Sequence, residues 1–273
     1  MNRSIAAPRF SRADIVRQAE ELIDHYLAVV GKTRETIVSI GIDDVYNELI
    51  YPEYGIDLIT DQHFGADPDG QKILGCFDFV SNTAFIDHCL AIGRGDARRA
   101  FTMWHEIAGH GVLQGDWLRR NFRGAAEESR LVSTDALLSP RCTEILEWQA
   151  NMFAANAAAP TWLVRREIER VFSPNKCFRF VGPCKYGLDV RGSYITRRVE
   201  SVHDLCLHIA RSIRHRFGGL SIESLAYRVK ESGYVVDLTQ RPVPLRRVAR
   251  VSAETRQRQR ARNPFESLVA SLS

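Results

Sequence analysis

Three features of this sequence predict an α+β fold. Helical periodicity opens the chain, a stretch near residues 56–87 breaks into short β-rich runs, and strong helical patterns return after residue 96. The composition fits a folded domain: 45% hydrophobic, 26% charged, mean hydropathy -0.22. Such a balance excludes a wholly disordered or fibrous chain.

Residues 1–10 read as a loose leader. A helix starts at Ser11, which can cap it, and places Ile15, Ala19, Leu22, Ile23, Tyr26, Leu27 and Val30 on one face until Gly31 stops it. A second helix is expected over 43–50, ended by Pro52. Runs at 56–59, 74–79 and 83–87 are rich in β-formers and separated by turn residues, so they predict a small antiparallel sheet of three strands. A helix over 97–113 follows, with Asp96 as its N-cap. Residues 114–141 are polar and mixed, a short helical excursion or lid. Helices are expected over 143–159, closed by Pro160, and over 161–172. The prolines and glycines of 173–200 suggest an irregular insertion. A helix–turn–helix-like pair then spans 202–217 and 222–232, around Gly218-Gly219.

This reading divides the chain into an N-terminal helical segment (1–40), a main domain (41–238) with insertions near 114–141 and 173–200, and a basic tail (239–273). The tail is electrostatically distinct. Eight arginines between 241 and 262 face one acid, Glu254, giving +7; taking that from the net +4 leaves -3 for the remainder. Clustered arginines attract phosphate, so 241–262 is a candidate for weak nucleic-acid contact, although a solvated tail has the same composition. The six cysteines are scattered with no C-x-x-C pair, as expected of free thiols. No apolar run is long enough for a membrane span, and the first twelve residues lack the apolar core of a secretory signal, so a cytoplasmic location is expected.

The segment Phe101-Thr-Met-Trp-His-Glu-Ile-Ala-Gly-His110 carries the chemistry. A His-Glu pair followed by a second His one turn on is how a zinc-peptidase helix presents two imidazoles to a metal and a carboxylate to its water. The usual spacing is i, i+4; here it is i, i+5. On a regular α-helix, at about 100° per residue, His105 and His110 would point roughly 140° apart. The two share one ion if the helix widens into a π-turn, which Gly109 would tolerate; otherwise the second ligand is lost. Downstream, Glu147 and Asn151 lie one turn apart on a strong helix. Glu147 can be a third ligand, and Asn151 can bond the far nitrogen of a ligating histidine. Of the other histidines, only His88, just after a predicted strand, is a candidate to line the cleft.

Together these segments resemble the ImmA/IrrE family of zinc metallopeptidases. The resemblance rests on Arg98-Arg99-Ala100-Phe101-Thr102, His105-Glu106-Ile107, the run Gly111 to Asp116, Glu147-Trp148-Gln149-Ala150-Asn151-Met152-Phe153-Ala154-Ala155 with Pro160, and Ser221 to Gly233. It covers roughly 40–235 and departs at Ala108-Gly109, where the family has one residue. It implies a zincin-like metal-site helix packed on the sheet, a second glutamate-bearing helix and further C-terminal helices. It implies one zinc ion held by His105, His110 and Glu147, with Glu106 as general base, in an endopeptidase that cleaves or inactivates a DNA-binding transcriptional repressor. The alternative is a degenerate metallopeptidase fold that binds or regulates without hydrolysis, with the arginine tail as a contact for nucleic acid.

Overall fold

A computed structural model describes residues 6–66, 70–90, 97–122, 138–172, 177–190, 193–217 and 219–239. The fold is α+β. Helix α1 (Arg12–Val29) opens with a capping box: the Ser11 hydroxyl accepts from the Asp14 N–H while the Asp14 carboxylate accepts from the Ser11 N–H. Its expected face is buried from Ile15 to Leu27. The leader is not loose over residues 7–10, since Ala7 and Phe10 pack against the core.

The next helix continues through Pro52 instead of stopping before it. It runs as α2 (Ile42–Val45), a π-turn (Tyr46–Ile50) and α3 (Tyr51–Tyr54), and ends at Gly55 in the left-handed region, φ 58°. The wide turn just before the proline shifts the hydrogen-bond ladder by one residue, with the Tyr51 N–H reaching the Tyr46 carbonyl. A proline one residue later then interrupts little.

Three strands follow: β1 (Asp57–Gln62), β2 (Gly75–Asp78) and β3 (Thr83–Asp87), in the order β1-β3-β2. The β2–β3 hairpin is antiparallel, with Gly75 opposite Ile86, whereas β1 runs parallel to β3, with Asp57 opposite Thr83. The sheet is therefore mixed and not wholly antiparallel. Asn82 is the cause. Its side chain donates to the carbonyls of Tyr54 and Gly55, and its own carbonyl accepts from the Asp57 N–H, so the starts of β1 and β3 are pinned side by side. The connection from β1 through β2 is long enough for that parallel pairing.

The central helix is continuous from 97 to 122: α4 (Ala97–Met103), a π-helix (Trp104–Gln114) and α5 (Gly115–Phe122). Helix α6 (Pro140–Ala158) begins three residues before the expected start because Ser139 caps it and Pro140 suits its first turn. It packs across the π-helix, and α7 (Thr161–Phe172) follows after Pro160. The 173–200 stretch is more ordered than its prolines and glycines suggest. Strand β4 (Phe178–Phe180) pairs with β7 (Val235–Asp237), while β5 (Cys184–Val190) and β6 (Ser193–Val199) form an antiparallel hairpin with Cys184 opposite Val199. Phe178, Phe180 and Leu188 anchor these strands in the core, an apolar pattern that the turn residues mask. Helices α8 (Val202–Ile213) and α9 (Ile222–Glu231) pack together as the expected pair.

The described residues up to Val236 belong to one compact unit. Asp96, most of the 114–141 insertion and the arginine tail lie outside the described residues. Among those described, no helix is long and apolar enough to cross a membrane.

Candidate metal centre

The extra residue between His105 and His110 is absorbed by the backbone. Both lie in the π-helix Trp104–Gln114, whose hydrogen bonds close one residue later than an α-helix's. Residues i and i+5 then come to share a face, as i and i+4 do on an α-helix. The two rings meet edge to face, centroids 4.7 Å apart, with their Nε2 atoms 3.0 Å from one another.

Gly109 assists in a way its backbone freedom does not suggest. It has no positive φ. A Cβ there would stand 2.7 Å from the Ala150 Cβ and 2.8 Å from its Cα. The glycine is what lets α6 press on the π-helix, and that closeness delivers Glu147. Its Oε2 lies 3.1 Å from His105 Nε2 and its Oε1 3.2 Å from His110 Nε2. Glu147 is the open corner: 45% of its side chain is accessible, against 13% for His105 and 8% for His110.

The polarity of the hydrogen bonds tests whether this group suits a cation. His105 Nδ1 is 3.1 Å from Asn151 Oδ1, and His110 Nδ1 is 2.9 Å from Gln114 Oε1. An amide oxygen only accepts, so each Nδ1 must carry the proton and each neutral ring must turn the lone pair of Nε2 toward Glu147. Two nitrogen lone pairs and a carboxylate thus face each other at 3.0–3.2 Å. That arrangement repels itself unless a cation or added protons sit among the donors. Ligand arms of 2.0–2.2 Å set tetrahedrally need donor separations of about 3.3 Å, close to those observed. The donor set, two imidazoles and one carboxylate, is one that zinc takes. Among the described residues these three are the group able to hold a metal ion.

Charge coupling is strong throughout. Burial opposes protonation of His110, but the hydrogen bond and charge of Glu147, then the charge of Glu106 and the bond to Gln114, outweigh it and lift the ring to about 9. Burial works against ionisation of Glu147 too, yet the two histidines hold its carboxyl well below the ordinary range. Glu106 moves the other way: burial raises its proton affinity against the opposing charges of His105 and His110. These directions describe the metal-free protein.

Glu106 stands beside the three donors and not among them. It is buried, and its side chain lies against Gly75 at the start of β2. A Cβ on Gly75 would come within 2.9 Å of the Glu106 Cγ and 3.0 Å of its Oε1. His88 does not join the group. It packs on His63, ring centroids 4.8 Å apart, in the turn after β3, where Asp87 accepts from the Phe64 and Cys89 N–H groups.

Sequence reasoning overlooked two residues that touch this network. Gln114 and Gln149 are wholly buried amides on opposite helices, 3.3 Å apart. The signal that could have found Gln114 is its place one turn beyond His110, the same relation that singled out Asn151.

No protein-family model and no curated protein matches the chain. One solved structure it is similar to is a Mycobacterium tuberculosis transcriptional regulator, with 18% sequence identity and a TM-score of 0.41, over 79% of this chain and 55% of that one. The similarity thus spans about half of that protein's length, and it is too slight to carry fold or function from one to the other.

Proposed function

We propose that the chain is a zinc-dependent peptidase whose one metal ion is held by His105, His110 and Glu147. The observation that supports this reading best is the convergence of three acceptor groups at 3.0–3.2 Å, with both Nδ1 atoms tied to amide oxygens. Zinc bound in such a site acts as a Lewis acid toward a carbonyl and lowers the pKa of its water.

The chain's own residues do the rest. His105 and His110 fix the direction of their lone pairs through Asn151 and Gln114. Glu147 brings the negative charge and leaves the site open on its own side. Glu106 is placed to exchange a proton: it follows the first histidine, feels the charges of both rings, and is kept out of the donor group by its seat on Gly75. A carboxylate so placed is a general base toward an attacking water and a general acid toward the leaving amine. By the motif resemblance, the substrate is a protein, a DNA-binding repressor in the cytoplasm.

The test combines metal content with hydrolysis. The purified chain should carry about one zinc per molecule. Glu106→Gln should keep that zinc while cleavage of a peptide library falls at least about 100-fold, the low end of what a general acid–base contributes. A variant that cleaves like the parent removes the proton-transfer role, and a parent that takes up no zinc removes the whole reading.

A further inference from the structure

His110 is held differently from His105. Asn151, which faces His105, is exposed. Gln114 is buried and held at both ends of its amide. Its Nε2 donates to the Leu146 carbonyl at 2.7 Å and lies 3.3 Å from Gln149 Oε1. Gln149 Nε2 in turn donates to the Pro8 carbonyl at 2.7 Å. Backbone carbonyls only accept, so the order of atoms along this line is forced. Pro8 O demands the NH2 of Gln149, which leaves the Gln149 oxygen to face Gln114. Leu146 O and that oxygen together demand the NH2 of Gln114, which leaves the Gln114 oxygen to face His110. The ring must then place its proton on Nδ1 and its lone pair on Nε2.

We propose that Gln114 and Gln149, anchored on Pro8, are positioning residues that lock His110 in the tautomer able to bind metal. The N-terminal segment thereby becomes a working part of the site. Both amides are wholly buried, so water does not substitute for a lost partner. The anchor is itself seated: Ala7 and Phe10 pack on the core, and the Ala7 backbone forms a hydrogen bond with Cys142 on α6. A line of amides running from backbone carbonyls to a ligating imidazole does for His110 what a carboxylate partner does elsewhere: it fixes ring orientation and proton position. The functional meaning of the lock rests on the zinc reading above; the lock itself does not.

The full-length chain tests it with two variants. Gln114→Met removes the amide that touches His110. Gln149→Met is of similar length, does not contact the ring, and changes only the tie between Gln114 and Pro8. Metal-free protein labelled with 15N at histidine reports the tautomer, competition against a chromophoric chelator reports zinc affinity, and thermal melting reports folding. In the parent, at a pH above about 9 where the metal-free ring is neutral, His110 should show a protonated Nδ1 and an unprotonated Nε2. In both variants the two ring nitrogens should move toward each other as tautomers mix. Zinc affinity should fall roughly 10–100-fold in Gln114→Met and by a smaller factor in Gln149→Met. Should Gln114→Met fail to fold, Gln149→Met decides the matter alone. A parent that binds no zinc but whose variants still lose the single tautomer supports the lock while removing the zinc reading. Folded variants that keep the parent's ring signals and zinc affinity overturn the proposal.

Discussion

At the scale of single residues, the donors and their supports should separate in experiment. Glu147 is the charged corner of the group, and Glu147→Ala leaves two neutral nitrogens to hold a dication. Its zinc affinity should fall by more than the roughly 10–100-fold that an outer partner is worth. Asn151→Ala keeps all three donors but frees His105 Nδ1, so its loss should stay within that range. Metal titration of both variants checks the ranking; equal losses would mean that Glu147 acts as an outer partner. The motif made these two residues visible because i, i+4 on a helix is a sequence-level relation. Gly109 was visible as a tolerant residue but for the wrong reason, since its neighbour on α6 lies some forty positions away in the sequence.

Among the elements, the crossing of α6 over the π-helix decides the site. An added methyl at Gly109 would overlap Ala150 backbone and side chain at 2.7–2.9 Å, and neither can swing aside. Gly109→Ala should therefore destabilise the fold by about 1–3 kcal/mol, as overpacking does, and lower zinc affinity by moving Glu147 off the histidines. Denaturant melts with zinc titration measure both, and unchanged affinity would show that the crossing does not set the site. A second element-scale test concerns the turn after β3. The hydrogen bonds of Cys89, then of the Phe64 and Cys89 N–H groups, hold the Asp87 carboxyl below its ordinary range. Its contribution is thus fully present above the usual carboxylate pKa of about 4 and is lost as pH falls through the lower folded value. Asp87→Asn should lower stability at pH 7 and narrow the gap between pH 7 and pH 3. A gap as wide as the parent's would assign the acid sensitivity to other carboxylates.

For the whole molecule, a buried arginine ties distant parts together. Arg228 on α9 donates from Nε to the Ala159 carbonyl at the end of α6 and from Nη2 to Thr161 Oγ1, both at 3.0 Å. It also pairs with Glu231, which in turn meets Arg12 of α1. Burial lowers the Arg228 pKa to about 10, a sign of how far it is removed from water. Arg228→Met leaves the buried Ala159 carbonyl without its donor and removes the bond to Thr161, while Glu231 keeps Arg12, a loss of about 2–4 kcal/mol. In a chain of this size that is a fall in melting temperature of roughly 10 °C. A shift within 2 °C of the parent would show that water replaces the guanidinium.

The local elements were legible in the sequence because they rest on neighbours along the chain. The buried face of α1, its Ser11 cap, the stop at Pro160 and the pairing of α8 with α9 follow from periodicity and capping. The candidate residues His105, Glu106, His110, Glu147 and Asn151 were legible through motif spacing and the family resemblance. Spacing alone left His110 undecided, since an α-helix and a π-helix send an i+5 side chain to different faces. Tertiary packing settled that geometry, with Gly109 against Ala150 and the sheet on the other side. It also set β1 parallel to β3 through Asn82, and it ran Pro8, Gln149 and Gln114 into one line toward His110. No periodicity encodes these contacts. Each joins residues far apart in the chain, and a hydrogen bond has direction only once both partners are in place.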